Sequence, residues 1–237
     1  MWYKLKRILI YPDGVTEKQV YPVPFKPWAN TLAYYPLNSV STVNDLSGNG
    51  RNLTNNWVTF WTYDWIDCAY FSWSSYLKNT YTDMSLTEAT INIWVKKTRN
   101  ADEAFAWLWD NSPDTQLSLV WNTSDRIGSK YYQSSFKYEW YKTVSVVWNW
   151  INLVLTVNSS WNKVWYNWVQ QSLSYTNWSS STWLSSFTTN NITLWAHQWW
   201  NSNKFIWYIS NAILENRVRT ADEILNYYNN SKFNYWL

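Results

Sequence analysis

Glycine is nearly missing from this chain of 237 residues: there are 4, where an ordinary composition of about 7% would supply roughly 17. So few glycines exclude a phosphate-cradling glycine loop. Cysteine is down to one, Cys68, which rules out an internal disulfide and any multi-cysteine metal cluster and marks it as a buried bystander. His197 is the only histidine, so no site can use two. Its context, WAHQWWNS, carries no signature of a nucleophile or base, and a loop histidine near a strand end is expected. No apolar run approaches the ~18 residues of a membrane helix, so no membrane insertion is expected. The apolar stretch Ile8 to Tyr11 is shorter than the ~7–15 residues of an export signal's core. Charge is also sparse, at 15% with a net +3, and Lys and Arg stand in ones and twos, which excludes nucleic acid as a partner.

What is present is apolar material, 46% of the chain, enough for one large all-β domain. Residues 1–27 read as a separate segment. Two β-like runs flank the turn Pro12-Asp13-Gly14, then the extended stretch YPVPFKP follows. A lone hairpin is marginal in water, so this segment is expected to pack on the main domain or dock on another subunit. Residues 28–237 carry short strands of period 2 between Asn/Ser/Thr-rich turns. In Ile91 to Lys96 the isoleucines and Val95 share one face, with Asn92, Trp94 and Lys96 on the other. Ile151, Leu153, Leu155 and Val157 likewise share a face, and a hairpin leads from there into Lys163 to Asn167. A further strand is expected over Phe205 to Leu214. Thr220-Ala221-Asp222-Glu223 is a capping box that opens one short terminal helix.

Against the 4 glycines stand 23 tryptophans, and the two anomalies coincide in position. Asn56-Trp57, Asp64-Trp65, Asn167-Trp168, Asn177-Trp178 and Ser160-Trp161-Asn162 sit where hairpin chemistry calls for Asn-Gly or Asp-Gly. One reading is that UGA codons meaning glycine have been rendered as tryptophan at these turns, Trp200 included. Trp94, Trp150 and Trp165, embedded in strand-like runs, are then authentic. The competing reading is that exposed tryptophans form a sugar-stacking or membrane-interface surface.

Three stretches in order resemble the laminin-G-like jelly-roll domains of the concanavalin-A-like lectin/glucanase superfamily. LAYYPLNSVSTVNDLSGNGRNLT, Leu32 to Thr54, is similar to the opening strand and its D-x-S-G-N-G turn. INIWVKK, with NWINLVLTVNSSWNKVWYNWVQ, is similar to the central strand and its hairpin. FIWYISNAILENRVRTADEI is similar to the closing strand and capped helix. The resemblance implies an all-β fold: a two-sheet antiparallel jelly-roll sandwich with one short C-terminal helix and the N-terminal hairpin-like segment. It also implies glycine at positions matching Trp57, Trp161, Trp168, Trp195 and Trp207.

The family's implied role is recognition, so the favoured function is a non-enzymatic module binding carbohydrate or a cell or virion surface. It is expected to be extracellular or virion-associated, as a phage structural or adhesion component, with a glycan or surface protein as partner and residues 1–27 meeting other subunits. Two alternatives stay open: a structural protein–protein module, and a glycoside hydrolase. The E-x-D-x-x-E strand signature of such hydrolases is absent, and Asp102-Glu103 would face opposite sides of a strand. Candidate ligand residues are aromatics beside polar groups: Trp109 with Asp110 and Asn111, Trp121 with Asn122, and Tyr131-Tyr132. A core or sheet-surface role is open to each of them as well. No cofactor is required. Calcium is the one metal to consider, at Asp45 and Asn49, because the family's aspartate in this turn is sometimes a ligand. Against it, Ser210 and Asn211 replace the acidic residue of the closing strand, and a side-chain-to-backbone turn bond also accounts for Asp45.

Overall fold

Strict alternation in the longest apolar strands commits one face of each to a shared interior. In the computed structural model, which describes residues 25–39, 43–72, 75–97, 103–109, 115–121, 126–133, 135–142, 149–176, 187–194 and 207–235, that interior lies between two antiparallel sheets. The first sheet runs β13 (Val169–Gln170), β12 (Asn162–Tyr166), β11 (Trp150–Val157), β6 (Ala89–Lys97), β16 (Trp207–Glu215), β4 (Ile66–Phe71) and β3 (Thr59–Tyr63). Its eighth strand, β1 (Thr31–Tyr35), pairs with the later half of β16, beyond a bulge between Ile209 and Asn211 that separates it from β4. The second sheet runs β14 (Leu173–Thr176), β10 (Ser135–Lys142), β9 (Arg126–Gln133), β8 (Thr115–Trp121), β7 (Glu103–Trp109), β15 (Phe187–Leu194), β5 (Tyr76–Leu86) and β2 (Thr54–Asn56). This is a jelly-roll sandwich.

Ile91, Ile93 and Val95 of β6 join Ile151, Leu153, Leu155 and Val157 of β11 in the core, as their spacing requires. Leu108, Leu117, Leu119, Ile127, Ile192 and Leu194 meet them from the second sheet. Each such side chain contributes roughly 1.5–3 kcal/mol by leaving water.

The opposite face of β6 and β11 is buried too. Helix α1 (Ala221–Ser231) and the 3-10 turn Lys232–Tyr235 lie across it. Trp94, fully buried, stacks on Tyr235 (centroids 3.8 Å apart, planes at 10°) and Tyr228 (5.9 Å, 15°), and its Nε1 donates to Ser231 Oγ at 3.2 Å. Thr220 caps the helix as its sequence predicts: Glu223 N donates to Thr220 Oγ1, and Thr220 N donates to the Glu223 carboxylate. Residues 1–24 lie outside the described residues. Phe25, at the end of the proline-rich stretch, packs edge-on against Tyr34 (4.9 Å) and Tyr227 (5.9 Å). No helix among the described residues is long and apolar enough to cross a membrane.

Candidate functional site

The sequence candidates for ligand contact fall on three neighbouring strands of the second sheet. Trp109 ends β7, Trp121 ends β8, and Tyr131 and Tyr132 lie in β9. Asp110, Asn111 and Asn122 lie outside the described residues, as does His197. The register divides the four strand positions. Trp109 and Tyr132 are both partners of Gln116, whereas Tyr131 pairs with Leu117 and Trp121 with Ile127, two residues of the core. Opposed residues share a face, so by register Trp109 and Tyr132 hold positions on one face of the sheet and Trp121 and Tyr131 on the other.

Asp45 is built into the turn between β1 and β2. Its Oδ1 accepts from the backbone N–H groups of Tyr34 (3.0 Å) and Ser47 (2.9 Å). Its Oδ2 accepts from Ser47 Oγ (2.8 Å) and Arg51 N (3.0 Å). Four donors occupy the carboxylate's lone pairs. Asn49 turns its amide inward, donating from Nδ2 to the carbonyls of Thr31 (2.8 Å) and Leu32 (3.2 Å). Gly48 and Gly50 supply the positive φ that the turn needs, at 91° and 69°. No group of three or more His, Cys, Asp or Glu able to hold a metal ion occurs among the described residues.

A different cluster stands on the outer face of the first sheet, beside the area that α1 covers. Alternation puts Trp61 and Tyr63 of β3 on that face, and pairing sets Tyr70 of β4 opposite Tyr208 of β16. The four rings form a continuous row. Tyr63 stacks on Tyr208 (4.3 Å, 25°), Tyr208 tilts against Tyr70 (5.3 Å, 40°), and Tyr70 tilts against Trp61 (6.3 Å, 48°). At the Tyr63 end the Lys96 ammonium sits 4.5 Å from that ring's centroid and pairs with Asp64 in the β3–β4 turn. Tyr208 is buried and its phenol is pushed up to about 12 by that burial, so it stays protonated, while Tyr63 and Tyr70 remain half-exposed. Cys68 lies beneath the row. Burial first, then the charges of Asp67 and Asp64, push its thiol up to about 12 against an opposing hydrogen bond from Tyr63, so it is no nucleophile.

Sequence reasoning missed this row because its members come from strands distant in the chain, and only the β4–β16 pairing brings them together. The available signal was the alternation of the aromatics Trp61 and Tyr63 in TFWTY, with Tyr70 in the next strand, IDCAYF.

No protein-family model and no curated protein matches the chain by sequence. Solved structures match it in fold. Domain 4 of AbnA, a GH43 extracellular arabinanase from Geobacillus stearothermophilus, solved with arabinotriose, is 17% identical with a TM-score of 0.64, over 83% of this chain and 97% of that one. The botulinum neurotoxin type G receptor-binding domain is 15% identical with a TM-score of 0.63, over 85% of this chain and 51% of that one. The serotype D ligand-binding domain, solved with N-acetylneuraminic acid, is 12% identical with a TM-score of 0.62, over 84% and 50%. The chain thus spans about half the length of the toxin domains and nearly all of the arabinanase domain. At these identities the likeness stands at the level of the jelly-roll fold.

Proposed function

We propose that this chain is a non-enzymatic recognition module that binds a glycan on the outer face of its first sheet, at Tyr63, Tyr70 and Tyr208. The observation that carries this reading is the row of stacked rings ending in the Lys96–Asp64 pair. A sugar ring lays its C–H face on an aromatic ring, and its hydroxyls need fixed polar groups at the rim. Half-exposed tyrosines backed by a buried one supply the first, and the phenols with the Asp64 carboxylate, held in place by the buried Lys96 ammonium, supply the second. Two neighbours of this fold were solved with sugars, arabinotriose and N-acetylneuraminic acid, which supports the ligand class.

A binding role also suits five of the described carboxylates. Asp45, Asp64, Asp67, Glu215 and Glu223 each take a hydrogen bond or ion pair within the fold. Glycan binding is proposed to be independent of calcium, because Asp45 holds its turn. The module acts outside the cell, on a cell or virion surface, with residues 1–27 joining it to its carrier.

A glycan array probed with the full chain, with Tyr70→Ala and with Tyr132→Ala tests the reading. The expected result is a specific set of bound glycans, unchanged by chelator and by Tyr132→Ala and lost in Tyr70→Ala. Loss in Tyr132→Ala with retention in Tyr70→Ala would move the site to the second sheet and overturn the assignment.

A further inference from the structure

Six non-glycine residues among those described have left-handed backbones, and three of them are tryptophan: Trp57 (φ 61°), Trp65 (65°) and Trp168 (69°). Two more, Asp64 (50°) and Asn167 (45°), immediately precede a tryptophan. For a bulky residue this conformation is an outlier, because Cβ crowds the following carbonyl, whereas glycine enters it freely. The hairpins explain why the backbone goes there. Tyr63 pairs with Ile66 and Tyr166 with Val169, so Asp64-Trp65 and Asn167-Trp168 are two-residue loops with positive φ at both positions. That is the geometry for which Asp-Gly and Asn-Gly are the preferred pairs.

At these tryptophans burial does not offset the backbone strain. Trp57, Trp65 and Trp168 are 81%, 77% and 43% exposed, so burial gives back little for the strained backbone. Leu37, also left-handed at 54°, differs in having its side chain wholly inside the core. Trp94, Trp150 and Trp165 are buried on regular strands. The indole N–H of Trp94 donates to Ser231 and that of Trp165 to Thr156, bonds that only an indole makes there. Trp161, although its sequence context resembles the others, is not left-handed, and Lys163 lies over its ring, so the backbone makes no demand for glycine at that position.

We infer that residues 57, 65 and 168 are glycine in the protein its own organism makes, inserted at UGA codons by a glycine-charged tRNA that reads UGA, and that Trp94, Trp150 and Trp165 are true tryptophans. The chain as written renders UGA as tryptophan. UGA differs from the glycine codon GGA in its first base and from the tryptophan codon UGG in its third. A UGA-reading glycine tRNA therefore removes the strain and the exposed indoles at these three positions together.

Two measurements test this. The gene should carry UGA at codons 57, 65 and 168 and UGG at codons 94, 150 and 165. Mass spectrometry of the native protein should find peptides lighter at the first three positions by an indolylmethyl group against a hydrogen. UGG at 57, 65 and 168, or tryptophan in the native peptides there, overturns the inference. Independently, the full chain made with Trp57→Gly, Trp65→Gly and Trp168→Gly should melt roughly 2–4 °C or more higher per site than the chain as written. An unchanged or lower melting point contradicts it.

Discussion

Glu215 and Arg219 meet out of water at the end of β16. Arg219 Nε donates to Glu215 Oε2 at 2.6 Å and its Nη2 to Oε1 at 2.9 Å, with side chains 0% and 1% exposed. A two-pronged pair of this kind is weak evidence of net stabilisation, but leaving one member without the other is costly. Arg219→Ala is expected to cost about 3–5 kcal/mol in urea unfolding, and Glu215→Leu with Arg219→Leu much less. An equal loss in both would show that packing, and not the stranded charge, sets the cost. Asp45 gives a second test at this scale. Asp45→Ala removes an acceptor with four donors and is expected to lower stability by about 2–3 kcal/mol. The unaltered chain should show the same melting temperature with calcium and with chelator, and a calcium-dependent rise would return Asp45 to the role of a ligand. Cys68, wholly buried with its thiol pushed up to about 12, should resist alkylation at pH 8 in the folded chain and react once unfolded.

The helix is the element on which the outer face depends, since Tyr228, Ser231 and the following Tyr235 all meet Trp94. Thr220→Ala should cost about 1 kcal/mol through the lost cap. Glu223 adds a pH dependence. Burial pushes its carboxyl up, but the hydrogen bond from Thr220 N–H and the Arg217 guanidinium outweigh that and hold it below its ordinary 4.5. A lowered folded pKa contributes stability that is present above the unfolded value and is lost as pH falls through the folded one. Urea midpoints measured at pH 7 and pH 3 should therefore fall less in Glu223→Gln than in the unaltered chain, and equal falls would remove the cap from the acid response. The cap itself was legible in the sequence as Thr220-Ala221-Asp222-Glu223 because a capping box is local. What the helix covers was not. Asn92, Lys96, Asn152 and Thr156 have the spacing of a solvent-facing stripe, yet all four are buried. Period 2 separates the faces of a strand but does not say what lies on each. Trp94 within that polar stripe was the one local sign that something packs there.

For the whole molecule, alternation and turn chemistry made the sandwich readable. The strand expected over Phe205 to Leu214 lies at Trp207–Glu215, and the one from Ile151 to Val157 gains only Trp150. Tertiary pairing hid the rest. Tyr70 and Tyr208 become neighbours only through the β4–β16 ladder, and the aromatics chosen from local context, Trp109, Trp121, Tyr131 and Tyr132, split between two faces once register is fixed. Outward-facing tryptophans drew attention to sugar stacking for the wrong residues if Trp57, Trp65 and Trp168 are glycine, and the tyrosine row does not depend on them. Isothermal titration of the strongest glycan-array ligand into the full chain and into a Tyr63→Ala/Tyr70→Ala variant tests that row most directly. The expected result is an affinity loss of about 10-fold or more, roughly 1.4 kcal/mol, with the melting transition still cooperative and the ligand recovered intact. Unchanged affinity in the variant, or cleavage of the ligand by the unaltered chain, would contradict it.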